Sequence, residues 1–217
     1  MKNIYRQIEN IYREFKVMNT KDRIIEATFL LSLEYGYNNV SIKQIKNKCN
    51  IAASSIYHHF ENKDEILSYL VDKYIMSIID YERDHTKDLD VSLMKKLEIN
   101  FYYAIGIDLL NNKKPLIIEG NHINTKKYYL MFTGIYHQNP EYRNLFSEAI
   151  EDILNFFKEL IEEGKDKKEI REDINSEKMS LFIYSNMRGT IEIWLNSDYE
   201  PKTLIDSNLE LIEKILQ

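Results

Sequence analysis

Apolar residues recur three and four positions apart along most of the chain, the period of an amphipathic helix rather than of a strand. Ile24, Ala27, Thr28, Leu31 and Tyr35 predict a first helix over about 20–35, opened by Asn19-Thr20 and closed by Gly36 as a left-handed C-cap. Ser41 with Gln44 makes a Ser-x-x-Gln capping box ahead of a short second helix whose apolar face is Ile42, Ile45 and Cys49. Asn50 then stands where the chain must turn, and Asn tolerates positive φ better than any residue but Gly. A third short helix is predicted from about Ala53 to Phe60, with Ile56 and Phe60 facing inward. Asn62 with Glu65 forms a second capping box for a helix running through Ile66, Leu67, Leu70, Tyr74 and Ile78 towards His85. Longer helices follow at about 90–110, 124–138, 140–164, 176–196 and 201–216, with Pro140 and Pro201 near helix starts and Gly164 at a helix end. The stretch from Asn111 to Asn124, holding Pro115 and Gly120, is the least regular.

Composition agrees with an all-α chain, since 6 Gly and 3 Pro in 217 residues are too few for the turns of a barrel or sandwich. The single Cys49 cannot form an intramolecular disulfide, and on the apolar face of a short helix it is core packing rather than a redox switch. No run approaches the length of a membrane span, and Lys2, Arg6, Glu9 and Arg13 charge the segment where a signal peptide would be apolar. The expectation is a cytoplasmic protein with no membrane partner. Residues 1–17 place Ile4, Ile8, Ile11 and Phe15 on one stripe; this arm is either an extension that touches DNA or a partner, or a start-site artefact with Met18 as the true start.

The net charge of −6 is unevenly distributed: residues 1–63 carry an excess of basic residues and residues 64–217 an excess of acidic ones. No acidic residue lies between Glu34 and Glu61, while Lys43, Lys46, Lys48, His58 and His59 do, so a polyanion could approach this window without repulsion. Residues 41–60 have the dimensions of a helix-turn-helix. A recognition helix must enter a major groove about 12 Å wide, which calls for small leading residues such as Ala53, Ser54 and Ser55. Tyr57 and His58 lie further along and reach towards phosphates, and Lys63 would join the positive end of the next helix at another.

The run Gly36-Tyr37, Ser41-Ile42, Ile45, Ile51, Ser55-Ile56-Tyr57-His58-His59-Phe60, Lys63, Glu65 and Leu67 resembles the N-terminal DNA-binding domain of the TetR/AcrR family of transcriptional regulators, over roughly residues 20–70. The resemblance implies a three-helix DNA-binding domain at 18–65 followed by a larger helical domain at 66–217 that binds a small molecule and dimerises. By position, Ser41 and Lys43 resemble DNA-backbone contacts, Ser54 and Ser55 groove-facing residues, and Tyr57, His58 and Lys63 phosphate contacts. The family often has Gly in the turn, a small residue in the second helix and a Lys early in the recognition helix, where this chain has Asn50, Lys46 and Ala53.

Sixteen Tyr and nine Phe fall largely on the later helices, where the default role is core. The resemblance implies that some line a cavity for an apolar or aromatic effector, with Phe101, Tyr102, Tyr128, Met131, Phe132, Tyr136, Phe156 and Tyr184 as wall candidates and Asn100, His122 and Arg188 as polar ones. In the last helix Leu204, Leu209 and Ile212 spread beyond one packing face, and Gly189 in the preceding helix permits close approach of another helix, which points to a homodimer with these residues and Ile193 at its interface. A two-fold dimer reads both halves of a palindromic operator. No catalytic triad, Walker loop, zinc motif or cofactor signature is present, and adjacent His58 and His59 cannot chelate one metal together. The function expected is therefore that of a ligand-released repressor, not an enzyme. The alternative is a dimeric small-molecule-binding or protein-interaction module whose helix-turn-helix no longer binds DNA.

Overall fold

The computed structural model describes residues 19–110, 117–118 and 121–217. The N-terminal arm and most of the irregular stretch around Pro115 and Gly120 lie outside the described residues. Asn19 accepts a hydrogen bond from the Asp22 N–H at 2.9 Å and starts α1 (Thr20–Tyr35). The buried residues of α1 are Ile24, Ile25, Glu26, Ala27, Thr28, Phe29 and Ser32, so Ile24, Ala27 and Thr28 of the expected stripe face the core, while Leu31 is half-buried and Tyr35 is 51% exposed. Phe29 widens the buried face beyond that stripe, its ring stacked on Tyr74 with centroids 4.1 Å apart. Thr28 and Ser32 are tolerated in this core because their hydroxyls donate to carbonyls one turn back, those of Ile24 and Thr28.

Gly36 ends α1 with φ 75° and ψ 141°, outside the left-handed helical basin and open in practice to glycine alone. A single 3₁₀ turn (Tyr37–Asn39) leads to α2 (Ile42–Cys49), where both halves of the predicted capping box form. Asn50, at φ 53° and ψ 51°, makes the tight turn to α3 (Ala53–His59). Ile45, Cys49, Ile56 and Phe60 are all buried. Asn62 caps α4 (Lys63–Val71) by accepting from the Glu65 N–H, but the Glu65 carboxylate accepts from the Glu61 N–H at 2.6 Å, one residue before the position a full box requires. The helix continues through a π turn (Asp72–Met76) into α5 (Ser77–Lys87), so a boundary at residue 65 falls inside a helical element.

The helix expected over 90–110 is shorter, α6 (Leu93–Tyr103). It stops because Gly106, at φ 77°, bonds back to the Tyr103 carbonyl at 2.7 Å while the Ile107 N–H reaches the Tyr102 carbonyl at 2.9 Å, the paired bonds of a Schellman ending. A two-residue pairing of β1 (Ile117–Ile118) with β2 (Asn121–His122) precedes α7 (Thr125–Gln138). After a 3₁₀ turn at Pro140 come α8 (Arg143–Asp166), α9 (Ser176–Asn196) and α10 (Pro201–Leu216). Gly164 does not end α8, as its position suggested. A Cβ there would stand 2.8 Å from Leu93 Cδ2, so glycine permits close packing, and Lys168, at φ 58°, takes the left-handed position beyond the helix.

The chain divides into two compact units: one comprises the chain up to Ser77 and again Ile118–Gln138, the other Ile78–Ile117 and Asn139–Gln217. In the first, α1 is the central element, with α2, α4 and α7 packed against it. In the second, α9 lies along α8, α10 contacts α9 and α6, and the core includes Leu97, Phe101, Phe157, Ile161, Ile183 and Ile205. No helix among the described residues is long and apolar enough to cross a membrane.

Candidate nucleic-acid interface

The surface of the first unit that could face a polyanion is built by α2, the Asn50 turn and α3. Ser41 accepts from the Gln44 N–H at 3.3 Å and Gln44 accepts from the Ser41 N–H at 2.7 Å, which fixes the start of α2 and leaves Lys43 exposed on its outer side. At the other end, the Arg23 guanidinium of α1 donates to the Cys49 carbonyl at 2.7 Å and the Cys49 thiol reaches the Arg23 carbonyl at 3.4 Å. Burial pushes that thiol up from its ordinary value, in keeping with a packing role. With both ends of α2 fastened and Asn50 fixing the turn, the orientation of α3 follows.

On α3, Ser54, Tyr57 and His58 are exposed, Ala53 and Ser55 are half-buried, and Ile56 is buried. The structure thus brings Ser41, Lys43, Ser54, Tyr57 and His58 to the surface of one short helix pair, with no carboxylate between Glu34 and Glu61 to oppose a phosphate. Tyr57 is 58% exposed, which suits a side chain reaching outward. His58 and His59 meet edge to face, centroids 5.2 Å apart. Lys46 is half-buried, as its departure from a small residue requires.

Lys63 is placed differently from the expectation. Its ammonium turns inward and donates to the carbonyls of Tyr37 at 2.9 Å and Asn38 at 3.3 Å, above the Tyr37 ring. Burial lowers its pKa. Sequence reasoning also missed Arg23, and Lys21, whose ammonium lies 3.6 Å from the centroid of the Tyr69 ring. Neither carries a local signal, because each partner lies on another helix.

The candidate effector residues divide between the two units. Tyr128, Met131, Phe132 and Tyr136 belong to the first, and Asn100, Phe101, Tyr102, Phe156, Tyr184 and Arg188 to the second. Tyr128 acts as core there: its ring neighbours Phe29, and its hydroxyl donates to the Tyr74 carbonyl at 2.8 Å. Met131 is buried, and Phe132 and Tyr136 are half-buried. In the second unit Phe101 and Phe156 are buried, and the Asn100 amide donates to the Lys96 carbonyl one turn back. Tyr102 and Tyr184 are half-buried, Arg188 is exposed, and the side chain of His122 lies outside the described residues.

Of the residues expected at a dimer interface, Ile212 is 1% exposed and belongs to the chain's own core, because α10 turns that face inward. Ile193 is exposed, Leu204 and Leu209 are half-buried, and a Cβ on Gly189 would meet open space. Exposed Phe182, Leu211 and Ile215 extend the same helices' apolar surface.

Residues 24–70 match the model of a family described as bacterial regulatory proteins, tetR family. The chain is similar to the fatty acid metabolism regulator protein of Bacillus subtilis, 23% identical over 192 residues that cover 88% of this chain and 92% of that protein. It is also similar to the biofilm operon icaADBC HTH-type negative transcriptional regulator IcaR of Staphylococcus epidermidis, 28% identical over 39% of this chain and 46% of that one. Among solved structures, the transcriptional regulator FadR from Bacillus subtilis in complex with stearoyl-CoA shares the fold, with a TM-score of 0.58, 22% identity, and coverage of 90% of this chain and 98% of that one.

Proposed function

We propose that this chain, whose residues 24–70 match the model of bacterial regulatory proteins, tetR family, works as a homodimeric repressor released from a palindromic operator by a small effector with a large apolar part. The observation that carries the DNA-binding half of this reading is the helix pair itself. Ser41 and Asn50 fix α2 and α3 in a helix-turn-helix, and Lys43, Ala53, Ser54, Ser55, Tyr57 and His58 lie on a segment free of carboxylates. Small side chains at the start of α3 admit the helix to a major groove, and Tyr57, His58 and Lys43 meet the backbone on either side. The exposed apolar residues of α9 and α10, with Gly189 open to an approaching helix, support pairing with a second copy.

An acyl thioester is the effector class we favour, because a relative matched along most of both chains is named for fatty acid metabolism and a protein of the same fold holds stearoyl-CoA. The effector acts by preferring a conformation in which the two reading heads no longer match successive grooves, a coupling of roughly 1–3 kcal/mol. The test is fluorescence anisotropy of the full chain against duplexes from the DNA flanking its own gene, at two salt concentrations, with and without stearoyl-CoA. Tight, salt-sensitive binding to one palindromic segment, reversed by stearoyl-CoA, is the expected result. Equal weak binding to every flanking and scrambled duplex would overturn the repressor reading, and binding indifferent to the thioester would overturn the effector class alone.

A further inference from the structure

One helix carries the chain out of the first unit: α4, the π turn at Asp72–Met76 and α5 run without interruption from Lys63 to Lys87, and the first unit ends at Ser77, the residue after the turn. In the turn the Ser77 N–H bonds to the Asp72 carbonyl, five residues back, where an α-helix would use the Lys73 carbonyl. The turn thus holds one residue more than the α-helix needs. Side chains fix it in place. The Ser77 hydroxyl donates to the Asp72 carbonyl at 2.8 Å, the Tyr74 ring stacks on Phe29 of α1, and Lys73 pairs with Asp22 of α1 at 2.9 Å. Tyr128 reaches the turn's main chain from another helix, α7, and its hydroxyl donates to the Tyr74 carbonyl at 2.8 Å.

We infer that Tyr128 is a positioning residue whose hydroxyl holds the extra residue of this helix in the π turn, and that the effector governs DNA reading by favouring the register in which that hold is released. When the turn closes to an α-helix, the helix beyond it winds on by one residue, about 100° and 1.5 Å. The helix therefore has two discrete registers rather than a continuous bend, as two-state coupling requires. The held register is the one that reads DNA, because Tyr128, Tyr74 and Phe29 brace α7, the turn and α1 together in the unit that carries α2 and α3. An effector that prefers α5 in the released register shifts the balance without touching α2 or α3. The inference rests on the proposed release of DNA by an effector.

Tyr128→Phe keeps the ring and removes the hydroxyl. In the full chain, amide hydrogen exchange should quicken about fivefold at Ser77 and stay unchanged at Phe60, whose N–H bonds to the Ile56 carbonyl at 2.9 Å in the same unit. Stearoyl-CoA should bind up to about fivefold more tightly, while affinity for the flanking duplex falls by less than about twofold, since the held register is the populated one. Exchange unaltered at Ser77, or quickened equally at Phe60, would overturn the inference. So would weaker binding of stearoyl-CoA, the result expected if the Tyr128 hydroxyl touched the effector instead. Deleting exposed Lys73 provides a second variant, because it takes away the extra residue and leaves both flanks of the helix in place. That chain should bind the duplex within about twofold of the unaltered one, and stearoyl-CoA should no longer release it. Undiminished release there would show that the register does not carry the signal. If stearoyl-CoA does not release the unaltered chain, the proposed effector class fails, and exchange at Ser77 together with the duplex affinity of Tyr128→Phe still decides whether Tyr128 holds the turn for DNA reading.

Discussion

The two units fasten their helices with different chemistry. In the first, several long-range side-chain bonds end on backbone carbonyls: Arg23 on Cys49, Lys63 on Tyr37 and Asn38, Tyr128 on Tyr74. In the second, lysine ammoniums from distant parts of the chain end on carboxylates. The Lys96 ammonium, 2% exposed, is held by both oxygens of Glu163 at 3.0 and 2.9 Å as well as by the Lys87 carbonyl, and Lys87 itself pairs with Glu159 at 2.7 Å. An exposed pair between Lys73 and Asp22 does occur in the first unit, outside the 35–60 segment. The difference teaches how a surface meant for a polyanion can be built. A carbonyl satisfies a cation without adding the negative charge that would repel phosphate, so a reading head can be cross-braced and remain electropositive.

The largest expected effect tests the carboxylate side of this contrast. Burial pushes the Glu163 carboxyl up, but hydrogen bonds from Lys167 and Lys96 outweigh it and hold the group below its ordinary value of 4.5. Glu163→Gln would leave the Lys96 ammonium buried without its counter-charge and should lower unfolding free energy by about 3 kcal/mol in urea titrations near neutral pH. The loss should shrink as pH falls through the lowered pKa, where the carboxylate of the unaltered chain itself becomes protonated.

A smaller effect comes from a carboxylate of the same unit that faces another carboxylate. Half-buried Glu82 has its carboxyl pushed up to about 8, first by burial and then by the charge of Asp108. In the unfolded chain it ionises near 4.5, so between those values the folded state retains a proton that the unfolded state has lost. Stability therefore declines as pH rises across that range. Glu82→Gln should flatten the decline and raise stability at about pH 8 by roughly 1–3 kcal/mol, read from unfolding curves at a series of pH values. A steeper decline in the variant would exclude Glu82 as its source.

The smallest effect belongs to the reading head. Arg23→Met removes the guanidinium from the Cys49 carbonyl, which water can reach once the side chain is gone, so the cost should be about 1 kcal/mol. Duplex affinity should fall along with it as the end of α2 loosens. A stability loss greater than that of Glu163→Gln would reverse the contrast between the units.

What was legible in the sequence depends on how far a residue must reach for its partner. The capping box of Ser41 with Gln44, the Asn62 cap and the positive φ of Asn50 are settled within a few residues, and all three were readable. The helix-turn-helix was therefore visible as a whole, together with the inward Ile56 and Phe60. Periodicity located α8, α9 and α10 but did not say which flank of α1 or α10 turns inward. Phe29 and Ile212 are buried because of what packs against them.

The sequence by itself determined the helical class, the helix-turn-helix and its carboxylate-free charge, because caps, turns and apolar period act between near neighbours. Only the tertiary structure decided that Gly164 makes room for Leu93, that Tyr128 belongs to the core around Phe29, and that Lys63 bends onto a turn 26 residues earlier. Those outcomes depend on side chains brought together from distant parts of the chain, where a lysine chooses between solvent and a carbonyl by what burial offers it.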